Sequence, residues 1–511
     1  MWDSFVQGIG LALSLSTLAM MAVGLFLGIL VGSLPGFTTV MAMAVLLPIS
    51  FFLEPLVGIP FLIGVYKGGI FGGSIPAILV SMPGTGASVA TTFDGPALTR
   101  KKQSRKAMEM ALYSSAIGDL SSDIITIIAI GPIALLAMQI GPPELAAVIL
   151  VSLLIIAVTT SEDLLKGLLM MVFGMFLAMI GTDPLGGMSR FTFGAFELKS
   201  GIPLLPMLIG VYALPEILLA TEQKVKTVGD NISRIGERLS MQELRRCLRT
   251  IFRSTGIGTV VGMIPGVGQV VAAFMGYAAA KSASDHPETF GKGELEGVAA
   301  AEAANNAVNG PTLVPLMTLG IPGDNVTAIL LGAFVAQGLR PGPQLINDQG
   351  PLVFAILIAM VVANFLFLAI GYAVIPLFAR IVTIRRALLL PLTVVLAFAG
   401  SYIYRSDPND LIILVCFGAF GYIARKVRMD VTPMVMGFIL GPILEYSFGQ
   451  TMAMSKGDFF GFIISDRPIS AAILLLAPAL IYYLHSRTVS LRKEYVNQEE
   501  PSANEESSTH K

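Results

Sequence analysis

The polar residues of this chain that could do chemistry stand in apolar surroundings, each set just after a Pro-Gly dipeptide. Thr85, Gly86 and Ser88 follow Pro83-Gly84, while Asp324, Asn325 and Thr327 follow Pro322-Gly323. Thr38 and Thr39 follow Pro35-Gly36, and Gly268 and Gln269 follow Pro265-Gly266. Small hydroxyl, amide and carboxylate groups of this kind bind a carboxylate or, through oxygen, a hard cation. Upstream of the last break, Glu302, Asn305, Asn306 and Asn309 fall at i, i+3, i+4 and i+7 within AAAEAANNAVNG. On a helix they share one face. Polar groups at membrane depth usually face a pathway; the alternatives are interhelical hydrogen bonding or a place at the water interface. The equivalent stretch of the first half is Tyr66-Lys67-Gly68-Gly69. Lys67 either neutralises an anion or snorkels to the interface. Asp119 and Asp123, at i and i+4, are weaker candidates, and Asp94 beside Gly95-Pro96 reads as a turn residue.

The elements that must position these groups are interrupted helices. Proline removes a backbone donor and clashes with the preceding turn, and the glycine after it opens geometries closed to other residues. A break inside a bilayer is tolerated where protein or a wet cavity satisfies the freed groups. Half-helices that start there aim bare N–H groups into the cavity. Each such end carries roughly +0.5 of a charge, which suits a carboxylate. The bland alternative is that Pro and Gly only kink packed helices. Gly36, Gly84, Gly266 and Gly323 are then the backbone positions that approach a substrate.

The breaks are duplicated. GILVGSLPGFTTV (Gly28–Val40) matches GTVVGMIPGVGQV (Gly258–Val270) at an offset of 230. PAILVSMPGTGAS (Pro76–Ser88) aligns with PLMTLGIPGDNVT (Pro315–Thr327) at 239, and Gly95-Pro96 with Gly342-Pro343 at 247. Three matched elements in one order indicate a repeated unit, and repeated helix breaks in a membrane protein point to a transport site.

Composition places the chain in a membrane. Of 511 residues, 54% are hydrophobic and 13% charged, against roughly 25% charged in soluble domains. Runs such as Ile202–Leu219, Leu352–Ala379 and Ile469–Leu484 contribute to roughly ten to twelve expected crossings. The net charge of -1 gives no sign of a nucleic-acid partner, and Cys247 and Cys416 lie too far apart in character to suggest a disulfide. Residues 1–30 read as a retained first span. Basic residues gather in a few loops: five in 99–106, eight in 221–253, and smaller clusters at Arg380–Arg386, Arg425–Arg428 and Arg487–Lys493. These are expected in the cytoplasm. The N-terminus and the loop Ile346–Gly350 then lie outside, and the C-terminus inside.

The expected fold is therefore an all-α polytopic membrane protein with an inverted-topology repeat and Pro-Gly-broken or re-entrant helices. Residues 1–106 form the first inverted unit with its N-terminal span, 107–220 accessory helices and 221–253 a cytoplasmic basic loop. Residues 254–348 form the second unit, 349–486 the C-terminal helices and 487–511 a polar, disordered cytoplasmic tail. A parallel duplication with a miscounted span is the alternative.

GSLPG (Gly32–Gly36), GGSIPAILVSMPGTGASVATTFDGPAL (Gly72–Leu98), EGVAAAEAANNAVNG (Glu296–Gly310) and TLGIPGDNVTAILLGAF (Thr318–Phe334) resemble the large membrane subunit of bacterial tripartite tricarboxylate transporters, the TctA family. The resemblance covers nearly the whole chain. It implies a secondary carrier of the inner membrane that works with a small four-span membrane subunit and a periplasmic solute-binding protein. It also implies small organic carboxylate substrates such as citrate, tartrate or aromatic carboxylates, and drive by a sodium or proton gradient.

On this reading substrate binds between Pro83-Gly84 and Pro322-Gly323. The two half-helix ends supply roughly one positive charge, and Lys67 or co-transported cations balance the rest. Asp324, Asn305 and Asn306 could hold Na⁺ through oxygens, Glu302 or Asp324 could carry a proton, and Asn309 completes the cation-coupling set. No resident cofactor is expected. The alternative is a stand-alone organic-anion carrier or channel that needs no partner subunits. HExxH, GxSxG and the phosphate loop GxxxxGK[ST] are absent from the sequence, which argues against an enzyme or an ATP-driven pump. A non-transporting scaffold has no need of polar breaks.

Overall fold

The computed structural model describes residues 2–34, 36–161, 163–222, 237–381 and 386–486. Pro35, Glu162, residues 223–236 of the basic 221–253 segment, the centre of the Arg380–Arg386 cluster, the Arg487–Lys493 cluster and the polar tail lie outside the described residues. A short helix, α1 (Trp2–Ala12), precedes the first repeat unit: α2 (Leu15–Gly32), α3 (Thr39–Ser50), α4 (Pro55–Val80), a 3-10 turn over Gly86–Thr92 and α5 (Gly95–Arg100). Four helices follow: α6 (Ser104–Ala137), α7 (Pro142–Thr160), α8 (Leu164–Ala178) and α9 (Leu204–Glu222). The second unit is α10 (Met241–Gly262), α11 (Gly268–Ala283), α12 (Leu295–Asn306), α13 (Leu313–Leu319) and α14 (Asn325–Ala336). Then come α15 (Leu345–Ile381), α16 (Arg386–Arg405), α17 (Asn409–Lys426), α18 (Thr432–Met454) and a last helix, Pro468–Ser486.

Each unit opens with a hairpin of two helices. The start of α2 meets the start of α4, where the Thr17 hydroxyl donates to the Leu56 carbonyl at 2.9 Å. The end of α3 lies beside them, with four residues between Ser50 and Pro55. In the second unit the Thr250 hydroxyl donates to Glu296, tying the middle of α10 to the start of α12. The hairpins enter from opposite ends of the bundle. Residues at the end of the first unit meet the feet of the second hairpin: Asp94 accepts from Tyr277 Oη (2.9 Å) and from the N–H groups of Gly291, Gly293 and Glu294. At the other end Gln337, just after α14, donates to the carbonyl of Ser50 at the foot of the first hairpin. The repeat is thus inverted. Asp94 pins the opposite unit instead of its own turn, because its buried carboxylate takes all its donors from there.

Glycine sets how closely the hairpins pack. Cβ atoms built at Gly24, Gly28 and Gly32 of α2 would lie 2.1–2.4 Å from the carbonyls of Phe61, Val65 and Gly69 of α4. Gly64, Gly68 and Gly72 of α4 answer with Cβ positions 2.3–2.7 Å from the Met21, Leu25 and Ile29 carbonyls. Small residues every fourth position let two helix backbones touch, the main source of helix association in lipid. The second unit repeats two of these contacts at equivalent positions: Gly258 faces the Ala304 carbonyl at 2.2 Å and Gly262 that of Val308 at 2.9 Å.

Three features refine the expectation. Among the described residues, seven helices are long and apolar enough to cross a bilayer. Four shorter apolar helices of 10–17 residues, among them Thr39–Ser50 and Asn325–Ala336, accompany them, in keeping with the roughly ten to twelve crossings expected. Second, α10 begins at Met241, inside the segment read as loop. Ser240 and Glu243 form a capping box there, and Arg245, Arg246 and Arg249 face outward while Cys247 and Ile251 pack inward. Burial opposes ionisation of Glu243, but Lys106 and the Ser240 hydroxyl and N–H outweigh it and hold the carboxyl at about 2. Third, α12 stops at Asn306, so Asn309 lies beyond it and the four polar residues do not form one helical stripe. Pro311 cannot donate to the carbonyl of Ala307, and its ring clashes there. Outside the helices, Gly181–Thr182 pairs with Ser189–Arg190 in a two-stranded ladder. Both cysteines are free.

The close backbone contacts predict that Gly258→Ala lowers stability by about 1–3 kcal/mol through overpacking. Gly256 of the same helix meets nothing within 4 Å. Gly256→Ala is therefore neutral or slightly stabilising in a thermal unfolding series on purified protein.

Candidate functional site

The hairpin tips and the two Pro-Gly loops of the opposite ends converge on one cavity of about 570 Å³. Residues following all four breaks line it: Thr38 and Thr39, Thr85 and Gly86, Gly268 and Gln269, and Asp324 and Asn325, with Gly266 at the second tip. Both tips turn through glycine in the same left-handed conformation, Gly36 and Gly266 each at φ 83°. A side chain at either would strain the turn. Gly36, Gly84 and Gly323 shape the turns without lining the cavity. Gly84 N donates to Gly73 O (3.0 Å), and Gly266 N to Gly323 O (2.9 Å), which joins a tip to a loop. The Thr159 hydroxyl donates to the Gly266 carbonyl at 2.9 Å.

The starts of α3, α11 and α14 open onto the cavity. Thr38 caps α3 by accepting from Met41 N. Thr85 and Asp324, at equivalent positions of the two units, act alike. Thr85 Oγ1 accepts from Ser88 N and bonds the Ser88 hydroxyl, while Asp324 Oδ1 accepts from Thr327 N and the Thr327 hydroxyl, each at 2.8 Å. Ser88 and Thr327 thus stand behind the wall and hold the capping residues. The α11 start has no side-chain cap, so its N–H groups are the least committed of the three.

A polar chain crosses between the units at Asp324. Tyr66 Oη donates to Asp324 Oδ2 at 2.9 Å, and Gln269 Nε2 donates to Tyr66 Oη (2.7 Å) and to Asn309 Oδ1 (2.9 Å). Asn325 Nδ2 donates to Thr432 Oγ1 at 2.9 Å. Asp324 therefore fills the α14 helix end with its own carboxylate, where the sequence reading had placed substrate.

Other expected site residues are buried away from the cavity wall. Lys67 neither snorkels nor reaches the cavity: it is 1% exposed, with Nζ 2.7 Å from Asp119 Oδ2 and 2.6 Å from Asp123 Oδ2. Glu302 accepts from Ser74 (2.6 Å), Ser115 (3.3 Å) and Thr91. Asn306 Nδ2 donates to Ser115 Oγ (2.8 Å). Neither polar side-chain atom of Asn305 has a hydrogen-bond partner among the described residues. Asp324 and Asn306 belong to separate hydrogen-bond groups, so no bonded shell unites the three expected Na⁺ ligands. No cluster of three or more His, Cys, Asp or Glu suited to a metal occurs among the described residues.

The rest of the wall comes from helices outside the repeat. Thr159, Thr160, Tyr212, Thr432 and the loop Arg425–Val431 contribute. Arg425 pairs with Glu216 at 2.6 Å, whereas the exposed Arg428 makes no ion pair among the described residues. In the sequence Arg425 and Arg428 signal topology only. The Thr159-Thr160 pair inside an apolar run is the one visible hint of this wall.

Comparison with known proteins agrees with this architecture. The chain matches the model described as "Tripartite tricarboxylate transporter TctA family" over residues 18–436, a stretch that takes in both repeat units and the cavity. A relative from Agrobacterium vitis, described as "Uncharacterized 52.8 kDa protein in TAR-I ttuC' 3'region", is 36% identical over 480 residues, 94% of this chain and 95% of the relative. Another from that organism, "Uncharacterized protein in TAR-II ttuC' 3'region", is 37% identical over 217 residues, 42% of this chain and 89% of its own length. No solved structure matches. With its inverted repeat, its four convergent breaks and a match across both, the chain belongs to the tripartite tricarboxylate transporter TctA family, a family of membrane transporters.

Proposed function

We propose that this protein is the large membrane subunit that carries small di- or tricarboxylates across the bacterial inner membrane. A periplasmic binding protein delivers the substrate, a small four-span subunit assists, and a Na⁺ or proton gradient drives uptake. The observation that supports this most is the meeting of all four broken segments around one cavity. The N-terminus is periplasmic and the C-terminus cytoplasmic. Exposed Arg428 and Asp430 line the cavity mouth. With basic loops inside, this reading makes the cavity open towards the cytoplasm, an inward-open state.

Charge decides how the cavity accommodates an anion. The starts of α3 and α11 offer roughly half a positive charge each, and Arg428 and Asp430 offset one another at the rim. Asp324 subtracts one. A carboxylate of two or three charges therefore needs a cation brought with it, since uncompensated charge away from water is costly. Asp324 is the seat of that cation. Its carboxylate faces the cavity and is held by Tyr66 and Thr327. Thr85, Thr38, Thr39, Gly268 and Gln269 contact the substrate. Alternating access follows when the hairpin tips and their loops move against α7, α9 and α18.

Asp324→Asn keeps the acceptor that caps α14 and removes the charge. It is expected to insert and fold normally yet to abolish gradient-driven uptake of radiolabelled citrate with the binding protein present. Asp324→Ala also loses the cap, at about 1 kcal/mol of stability. Wild-type accumulation by Asp324→Asn with unchanged cation dependence removes Asp324 from the mechanism.

Gln269→Leu preserves bulk but removes the donor to Tyr66 and Asn309. A roughly tenfold rise in KM for citrate is expected, the size of one lost hydrogen bond. An unchanged KM takes Gln269 out of the binding wall. Uptake that persists without the binding protein and the small subunit contradicts the tripartite assignment.

A further inference from the structure

The cluster around Lys67 is built from charges that do not balance. Asp119 and Asp123 stand one turn apart on α6, and both direct Oδ2 at Lys67 Nζ, at 2.7 and 2.6 Å. Each of the three residues is 1% exposed. One ammonium against two carboxylates leaves a surplus negative charge when both acids are ionised. Their other oxygens, Asp119 Oδ1 and Asp123 Oδ1, are buried and make no well-formed hydrogen bond among the described residues; the neutral amide of Asn309 faces Asp119. An ionised carboxylate so far from bulk water and from a second cation is strongly disfavoured.

The surroundings supply no second counter-charge among the described residues. From α4 comes Lys67, preceded by Tyr66, and from α15 comes Asn364, whose Nδ2 donates to Asp123 Oδ2 at 2.7 Å. The Thr126 hydroxyl on α6 is engaged with the Ser122 carbonyl. The α12–α13 break brings Gly310, where a Cβ would sit 2.5 Å from Asp123 Oδ1. Glu302, the acid of α12, is held by its own three hydroxyls.

We propose that Lys67, Asp119 and Asp123 form a proton-binding site, occupied by one proton shared between the two acids in the inward-open state. The ligand is a proton and not a metal cation. The Lys67 ammonium already stands between the carboxylates, where a metal ion would have to sit. The two free oxygens also fall well short of the oxygen shell a hard cation takes. The site communicates with the cavity through short contacts. Tyr66 bonds Asp324, Gln269 links Tyr66 to Asn309, and Gly310 next in sequence rests on Asp123. Losing the proton leaves a net charge that favours a conformation admitting water to the cluster. The proton thereby biases which end of the cavity is open. This inference rests on the carrier reading above.

The test uses the complete transporter in liposomes with radiolabelled citrate. Accumulation is driven either by an inside-alkaline pH gradient without Na⁺ or by a Na⁺ gradient at equal pH. Citrate–citrate exchange at equal pH is the third assay. Asp123→Asn is expected to lose roughly tenfold or more of the pH-driven accumulation, a coupling loss within the usual range, while exchange continues. Asp119→Asn serves if Asp123→Asn does not insert. Three outcomes overturn the proposal: undiminished pH-driven accumulation, a loss confined to the Na⁺-driven arm, or equal loss of exchange and accumulation by inserted protein. Failure of both variants to insert overturns it too, since the cluster is then structural support. Wild-type protein that exchanges citrate but accumulates it under neither gradient overturns the carrier reading itself, a result distinct from any given by the variants.

Discussion

Backbone groups freed inside a bilayer can turn only to other protein groups or to enclosed water, and the architecture of this chain follows from that constraint. Each break finds its partner in a specific place. Gly84 N bonds Gly73 O, Gly266 N bonds Gly323 O, and the Thr159 hydroxyl takes the Gly266 carbonyl. Breaks that satisfy one another must lie together, so the requirement that makes them tolerable also gathers them at one spot. The cavity is what remains between four turns too irregular to pack flat.

Glycine spacing makes that gathering possible. The contacts of Gly24, Gly28 and Gly32 with α4 hold backbone against backbone, which fixes the depth of the hairpin tip. A larger side chain at any of them would push the tip away from the loop at Gly84, where a Cβ would already sit 2.5 Å from the Gly32 carbonyl. Helix association and site geometry therefore draw on the same residues. Its trace in the sequence is glycine at every fourth position of 24–32 and 64–72.

The duplicated motifs made the inverted repeat and the four breaks legible. Local chemistry carried them: a proline, a glycine and a small polar residue in fixed order. The partners of buried charges were not legible. Lys67 and Asp123 are 56 residues apart in sequence, and Glu302 and Ser74 are 228 apart. Nothing at either position reports the other. Lys67 therefore read as free to meet an anion or to reach the interface, when two carboxylates had already claimed it. The outer wall of the cavity was hidden for a different reason. Thr159, Tyr212 and Thr432 sit on helices outside the duplication, without a second copy to mark them.

The two units have kept one backbone plan and divided its chemistry. Lys67 and Asn306 occupy equivalent positions at the 239 offset, and both face α6. Lys67 meets Asp119 and Asp123, and Asn306 meets Ser115 beside Glu302. Residues 115, 119 and 123 are successive turns on one face of α6, so this single helix serves a charged cluster in one unit and a hydroxyl-bound acid in the other. Thr85 and Asp324 show the same division at the cavity, with a neutral cap in one unit and an anionic cap in the other. On the carrier reading proposed above, a symmetric pair of charged caps would repel an anionic substrate from both sides. Keeping the carboxylate in one copy leaves the opposite wall neutral, so that in this proposal a cation and a carboxylate need not compete for the same helix end.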